Sequence, residues 1–304
     1  MEYILSASAL TKHYRGFRAL DDFNMHIPRG AIYGIVGKNG AGKTTLIRLI
    51  CGLQEPSGGE YTLYGVKNSS GQICRARRRV GAVVETPSIY MDMNALDNLR
   101  QQYRILGMPS FDGIDELLQL VGLSGAGNKR AKHFSLGMKQ RLGIAIALAG
   151  DPDFLILDEP ANGLDPQGIV EIRELILKLN RERQITVLIS SHILDELSRL
   201  ATHYGFIDHG HMVKEISARE LEQASRKCVR VAVTNPQSAM PVLDGLRVEY
   251  SAVSESEVDI FSAVSISELV LALSQAGCQV QSIHEREESL ESYFIDLIGG
   301  GAHE

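Results

Sequence analysis

The run Gly37-Lys38-Asn39-Gly40-Ala41-Gly42-Lys43-Thr44-Thr45 restricts the possible folds more than any other stretch of the chain. It fits the pattern strand–GxxxxGK(S/T)–helix, with the apolar run Ala31 to Val36 before it and an apolar-faced segment to Cys51 after it. Glycines let a backbone come close to a polyphosphate. Successive N–H groups and the N-terminus of the following helix then form an anion site. Gly37, Asn39, Gly40, Ala41, Gly42, Lys43, Thr44 and Thr45 are the expected triphosphate-binding residues, with Lys43 reaching the β and γ phosphates and Thr44 placing its hydroxyl on Mg2+.

Downstream, Phe154-Leu155-Ile156-Leu157 is a short apolar run of the kind found in a central parallel strand, and it ends in Asp158-Glu159. Carboxylates at that end sit at the mouth of the sheet, where α/β proteins bind ligands. Asp158 is suited to holding Mg2+ through a water, and Glu159 to orienting or deprotonating an attacking water.

Around these motifs the chain alternates in the manner of an α/β protein. Short strands are expected at 3–9 and 22–27, flanking 11–18, and further strands at 60–64, 80–84 and 185–190. Helices are expected at 43–51, 94–106, 112–121, 137–149, 166–181 and 192–201. The texture changes near residue 217. From there the expected order is strand 228–233, helix 237–243, strands 246–250 and 257–261, helix 265–276, strand 278–284 and helix 289–298. This resembles a ferredoxin-like α+β unit, with Ser265 and Glu268 forming a capping box.

Bulk properties remove several function classes. Net charge is −6, so no overall basic surface points to nucleic acid. Arg75, Arg77, Arg78 and Arg79 are a local exception, read as a solvated segment or as a contact for anionic lipid or a partner. Cys51, Cys74, Cys228 and Cys278 show no paired spacing, which fits a reducing cytosol rather than a disulfide or zinc framework. The start lacks the pattern of a signal peptide. No apolar run approaches the roughly 18–20 residues that span a bilayer, so any membrane passage is expected from other chains.

Phe134-Ser135-Leu136-Gly137-Met138-Lys139-Gln140-Arg141 opens an apolar helix some 20 residues before Asp158. With it, the ordered motifs over residues 3–215 resemble the nucleotide-binding subunit of an ATP-binding cassette (ABC) transporter. The family signature Leu-Ser-Gly-Gly-Gln survives at Ser135 and Gly137 and differs at Phe134, Leu136 and Met138. The resemblance implies that these two residues bind the γ-phosphate of a second copy, so that two cassettes enclose two ATP molecules. Within Ala161-Asn162-Gly163-Leu164-Asp165, Asp165 resembles the D-loop aspartate. His192 resembles the switch histidine, which contacts the γ-phosphate and braces the catalytic glutamate. Tyr14 resembles the aromatic that stacks on adenine, with Phe17 as a competitor.

At Glu85 most family members have glutamine, and a glutamate there resembles the ATPases of bacitracin-type and lantibiotic-immunity transporters. A carboxylate at this place is expected to join Thr44 and Asp158 around Mg2+. The implied fold is a P-loop NTPase of the ABC ATPase type over residues 1–216. It has a parallel-sheet core, an antiparallel β subdomain and a helical subdomain at about 87–150; residues 217–304 form a small C-terminal α+β domain.

The implied function is ATP hydrolysis driving export or expulsion of an antimicrobial peptide through separate transmembrane permease subunits. The protein is then expected as an ATP-induced homodimer, cytoplasmic and peripheral on the inner face of the cell membrane. An importer ATPase and a soluble ABC protein are the alternatives. Against the soluble reading, only about 90 residues separate Lys43 from Ser135, with no heptad run for a coiled-coil insertion, and the chain carries one cassette.

Overall fold

A computed structural model of the chain describes residues 2–224, 228–234, 236–254, 256–262, 264–286, 293 and 297. Strands Ile32–Val36, Phe154–Asp158 and Thr186–Ser191 are buried at every position. Their uninterrupted apolar character follows from having both faces of the sheet covered. They form the middle of a six-stranded sheet in the order His211–Ser217, His203–Asp208, Ile32–Val36, Thr186–Ser191, Phe154–Asp158, Val80–Val83. All neighbours run parallel except the hairpin that joins the first two. In register, Asp158 lies opposite Ser190 and Val36 opposite Ser191.

A second, four-stranded antiparallel sheet is built on a long hairpin, Tyr3–Tyr14 with Phe17–Pro28, and continues through Gly58–Leu63 to Val66–Lys67. The two short expected strands, 3–9 and 22–27, are therefore parts of much longer ones that close at the pair Tyr14 and Phe17. Register shifts between Ala7 and Leu10 and again near Lys12 break the alternation that would have revealed their length. Helix Lys43–Ile50 buries Leu46, Ile47, Leu49 and Ile50, and a single core cluster joins it to both sheets through Phe23, Met25, Tyr61, Phe154 and Ile156.

The helical stretch comprises Ala95–Leu106, Ile114–Leu120 and Leu136–Leu148. Asn94 caps the first of these by accepting the Asp97 N–H. Pro166–Arg183 follows the central strand. Helix Leu194–Ser198 is shorter than the expected 192–201, because His192 and Ile193 leave the strand in extended or bent conformation and helical turns begin only after them. Several elements lacked a sequence expectation. Strands His203–Asp208 and His211–Ser217 extend the large sheet, and Arg75 and Arg77 belong to a short helix, Ile73–Arg77.

Contacts divide the chain into two compact units after Ala218. The second unit pairs its strands in the order Tyr250–Ala252, Glu257–Ile260, Cys228–Val233, Val280–Arg286, all antiparallel. Helices Pro236–Gly245 and Ile266–Gln275 complete a β-α-β-β-α-β order of ferredoxin-like type. Val231, Val233, Val258, Ile260, Leu269 and Leu273 form its core. The strand expected at 246–250 starts only at Tyr250, and the one expected at 278–284 runs Val280–Arg286. Ser265 is the N-cap of its helix but its side chain makes no capping hydrogen bond, so the expected capping box does not form. The helix expected at 289–298 lies outside the described residues, apart from two isolated positions. Among the described residues no helix is long and apolar enough to cross a membrane.

Candidate functional site

At the C-terminal edge of the large sheet lies a cavity of about 310 Å3. Asn39, Gly40, Gly42, Lys43, Thr44 and Thr45 form one side of it. Glu159, Asn162 and His192 face it from the ends of the neighbouring strands, and Tyr14, Phe17 and Ala19 close it from the hairpin.

The glycines of the loop are required by space. A Cβ on Gly37 would stand 2.5 Å from the Ile207 carbonyl oxygen. One on Gly42, whose φ is +114°, would stand 2.5 Å from the Ala19 carbonyl oxygen. Lys43 is buried, and its Nζ donates to the Gly37 carbonyl at 2.6 Å and the Lys38 carbonyl at 3.2 Å. The same ammonium stands 3.4 Å from Glu159 Oε1. A buried cation held this way places positive charge at the phosphate loop, where it attracts a polyphosphate.

The carboxylates at the end of Phe154–Asp158 have different surroundings. Asp158 is 1% exposed. Ser190 Oγ donates to its Oδ1 at 2.5 Å, while its Oδ2 is buried without a hydrogen-bond partner. Glu159 has left the strand with φ +50°, and its N–H donates to Ser190 Oγ at 2.9 Å. Its side chain turns into the cavity, where Oε2 lies 2.6 Å from His192 Nδ1. A carboxylate bridged between a lysine and a histidine is oriented on both oxygens and can accept a proton from a nucleophile seated in the cavity.

Of the two aromatic residues weighed for stacking, both line the cavity, at the two ends of the hairpin turn. Tyr14 donates its hydroxyl to Gln54 Oε1 at 2.5 Å, which fixes its ring. Asn162, which sequence reasoning placed only in the D-loop stretch, faces the cavity itself. Ser190 was missed altogether. Its signal was the Ser-Ser pair ahead of His192, but only the strand register shows that it faces Asp158.

Other expected residues lie away from the cavity. Ser135 and Asp165 are N-caps: Ser135 Oγ accepts the Met138 N–H at 3.2 Å, and Asp165 Oδ1 accepts the Gly168 N–H at 2.9 Å. Gly137 and Gly163 bring these two segments together, since a Cβ on Gly163 would lie 3.2 Å from the Leu136 side chain and one on Gly137 3.9 Å from that of Leu164. Ala41 is buried beneath the loop. Glu85 follows strand Val80–Val83. It adopts φ +60° and its carboxylate is taken by the guanidinium of Arg48, a nearer cation on the helix after the phosphate loop.

Known proteins repeat this arrangement. The family described as ABC transporter matches residues 20–162. The chain is 40% identical to the bacitracin transport ATP-binding protein BcrA of Bacillus licheniformis over 99% of both chains. It is 38% identical to the protein of the same name from Enterococcus faecalis, over 99% of this chain and 98% of that one. Over 70% of its length it is 42% identical to the lantibiotic transport ATP-binding protein SrtF of Streptococcus pyogenes, covering 90% of that protein. Among solved structures, a dimeric ATP-binding cassette in a post-hydrolysis state with ADP and phosphate superposes with TM-score 0.64 and 25% identity, over 71% of this chain and 99% of that one. A cassette from a Clostridium perfringens ABC transporter complex superposes with TM-score 0.66 and 27% identity, over 81% and 97%. A phosphate loop, a strand-end carboxylate pair and full-length relatives of one kind converge on a single assignment: the chain belongs to the ABC transporter family, as an ATP-binding subunit that hydrolyses ATP for transport.

Proposed function

We propose that this subunit powers removal of a peptide antibiotic of the bacitracin or lantibiotic class from the cell membrane. The observation that carries the reading is similarity, along essentially the whole chain, to ATP-binding proteins named for bacitracin transport. In this reading Lys43 and the amides of Gly37 to Thr45 hold the triphosphate, and Tyr14 stacks on the adenine. Glu159, braced by His192, takes the proton of the attacking water.

Thr44 and Asp158 fit a bound Mg2+. Thr44 faces the cavity, and Asp158 keeps one buried oxygen with no hydrogen-bond partner. Among the described residues no group of three or more acidic, His or Cys side chains could hold a metal by itself. That suits a cation that draws most of its ligands from phosphate and water. When bound, Mg2+ neutralises charge that develops on the phosphate oxygens.

Two copies form the working unit, each closing the other's nucleotide with Ser135 and Gly137 and linking the sites through Asp165. Separate permease subunits receive the motion at the surface over residues 85–103. That places the protein on the inner face of the cell membrane through those subunits. The cassette spans residues 1–216 and the unit at 217–304 is an accessory domain.

The test is co-expression with candidate permease subunits in a bacitracin-sensitive host. Wild type raises the bacitracin or lantibiotic concentration needed to stop growth, and Glu159→Gln does not. Equal sensitivity with and without the wild-type system, across both peptide classes, overturns the reading.

A further inference from the structure

The geometry points to Ser190 as a positioning residue that sets both carboxylates of the site at once, an inference resting on the roles proposed above for Asp158 and Glu159. Ser190 is completely buried, opposite Asp158 on the adjacent parallel strand. A hydroxyl has one proton to donate and two lone pairs. Ser190 spends its proton on Asp158 Oδ1 at 2.5 Å and accepts the Glu159 N–H at 2.9 Å. Its carbonyl oxygen accepts the same N–H at 3.2 Å.

The consequences differ for the two carboxylates. With one lone pair of Oδ1 engaged by Ser190, the oxygen of Asp158 left wholly free for a cation is Oδ2, the buried one that lacks a partner. The hydroxyl thus biases which oxygen faces a cation and holds the plane of the carboxylate. For Glu159 the control is over the main chain. Its φ of +50° is unusual for a residue with a side chain, and a backbone of this kind persists only where its surroundings impose it. The bond from its N–H to Ser190 is one such restraint, made at the residue whose side chain must meet His192. Ser190 does not line the cavity, so it acts through its neighbours.

The experiment uses the full chain in two backgrounds. In Glu159→Gln, the Mg2+ concentration that half-saturates ATP-driven dimerisation is measured by size exclusion with and without Ser190→Ala. The expected shift is about 10- to 100-fold toward higher Mg2+, the usual cost of losing a group that orients a metal-binding side chain. In the wild-type background Ser190→Ala lowers kcat by roughly tenfold while KM for ATP stays within about twofold, since the loss falls on the reacting groups. Ser190→Thr, which keeps the hydroxyl, restores both quantities. If Ser190→Ala does not fold, Ser190→Cys replaces it, with similar volume and a weak donor. An unshifted Mg2+ titration in the Ala or Cys variant, or a folded Thr variant that restores nothing, overturns the inference. Failure of Glu159→Gln alone to dimerise at any Mg2+ concentration overturns the site reading beneath it, and the inference with it.

Discussion

Arg48 and Glu85 form an ion pair that ties the helix after the phosphate loop to the segment following strand Val80–Val83. Both side chains are partly exposed, 35% and 54%, so the pair contributes less than about 1 kcal/mol to stability. Its importance is positional, because a carboxylate held by Arg48 is withheld from the cation site. Arg48→Gln should therefore lower the Mg2+ needed for half-maximal hydrolysis by up to about fivefold, the equivalent of about 1 kcal/mol. Glu85→Ala, which removes a carboxylate already withheld, should leave it nearly unchanged. An unchanged Mg2+ titration in Arg48→Gln would remove Glu85 from the metal site.

Gly42→Ala should abolish ATP binding in a chain that still folds. The added methyl meets the Ala19 carbonyl oxygen at 2.5 Å, at a φ of +114° that a side chain resists. Strain of this kind costs about 1–3 kcal/mol, which a core of this size tolerates, but the loop must move to relieve it. Fluorescent ATP binding and thermal melting read the two effects separately. Full-affinity binding would show that the loop shape is not what holds the triphosphate.

Glu159→Gln should reduce turnover by about 10²- to 10⁴-fold, the range attributed to a positioned general base. ATP affinity should be retained, so that a stable ATP-bound dimer accumulates on size exclusion. His192→Ala should weaken hydrolysis by a smaller factor, because it removes the 2.6 Å contact that steadies the glutamate and leaves Lys43 in place. Single-turnover kinetics distinguish these losses from slow product release.

Thiol reactivity offers a check that does not involve nucleotide. Burial pushes the Cys51 thiol up to about 12, opposed only in part by the nearby Arg77 and reinforced by Asp158. At pH 8 it stays protonated and inert, whereas the exposed Cys74 reacts with iodoacetamide. Because the folded state favours the neutral thiol, its contribution to stability is present at neutral pH. It is lost as pH rises through the ordinary thiol range toward 12. Mass spectrometry after alkylation should find Cys74 modified and Cys51 modified only in denaturant.

The parts of the fold that were legible in the sequence are those fixed by local chemistry. The phosphate loop, the apolar strand before Asp158 and the helix behind Ser135 carry their geometry in adjacent residues. The hairpin Tyr3–Tyr14 with Phe17–Pro28 was shortened in the reading because its bulges interrupt the period of two. His203–Asp208 was missed because its place beside Ile32–Val36 is set by a segment far away in the chain, and its hairpin partner His211–Ser217 was missed with it. The same limit applied to chemistry. Lys43, Glu159 and His192 announce themselves by motif. Ser190 matters only through the strand it faces, and Glu85 acquires Arg48 as a partner only once two distant segments meet.

The strand register described above makes correct sheet pairing and assembly of the site one event. Asp158 faces Ser190 and Val36 faces Ser191 across parallel neighbours, so the phosphate loop, the carboxylates and His192 emerge from consecutive rungs. Side chains alternate along a strand, and a slip of one residue would turn Asp158 or Ser190 to the opposite face. A chain trapped in such a slip would keep most of its secondary structure and lose the Ser190 contacts to Asp158 and Glu159. Recovery of ATPase activity after denaturation therefore reports register as directly as it reports catalysis.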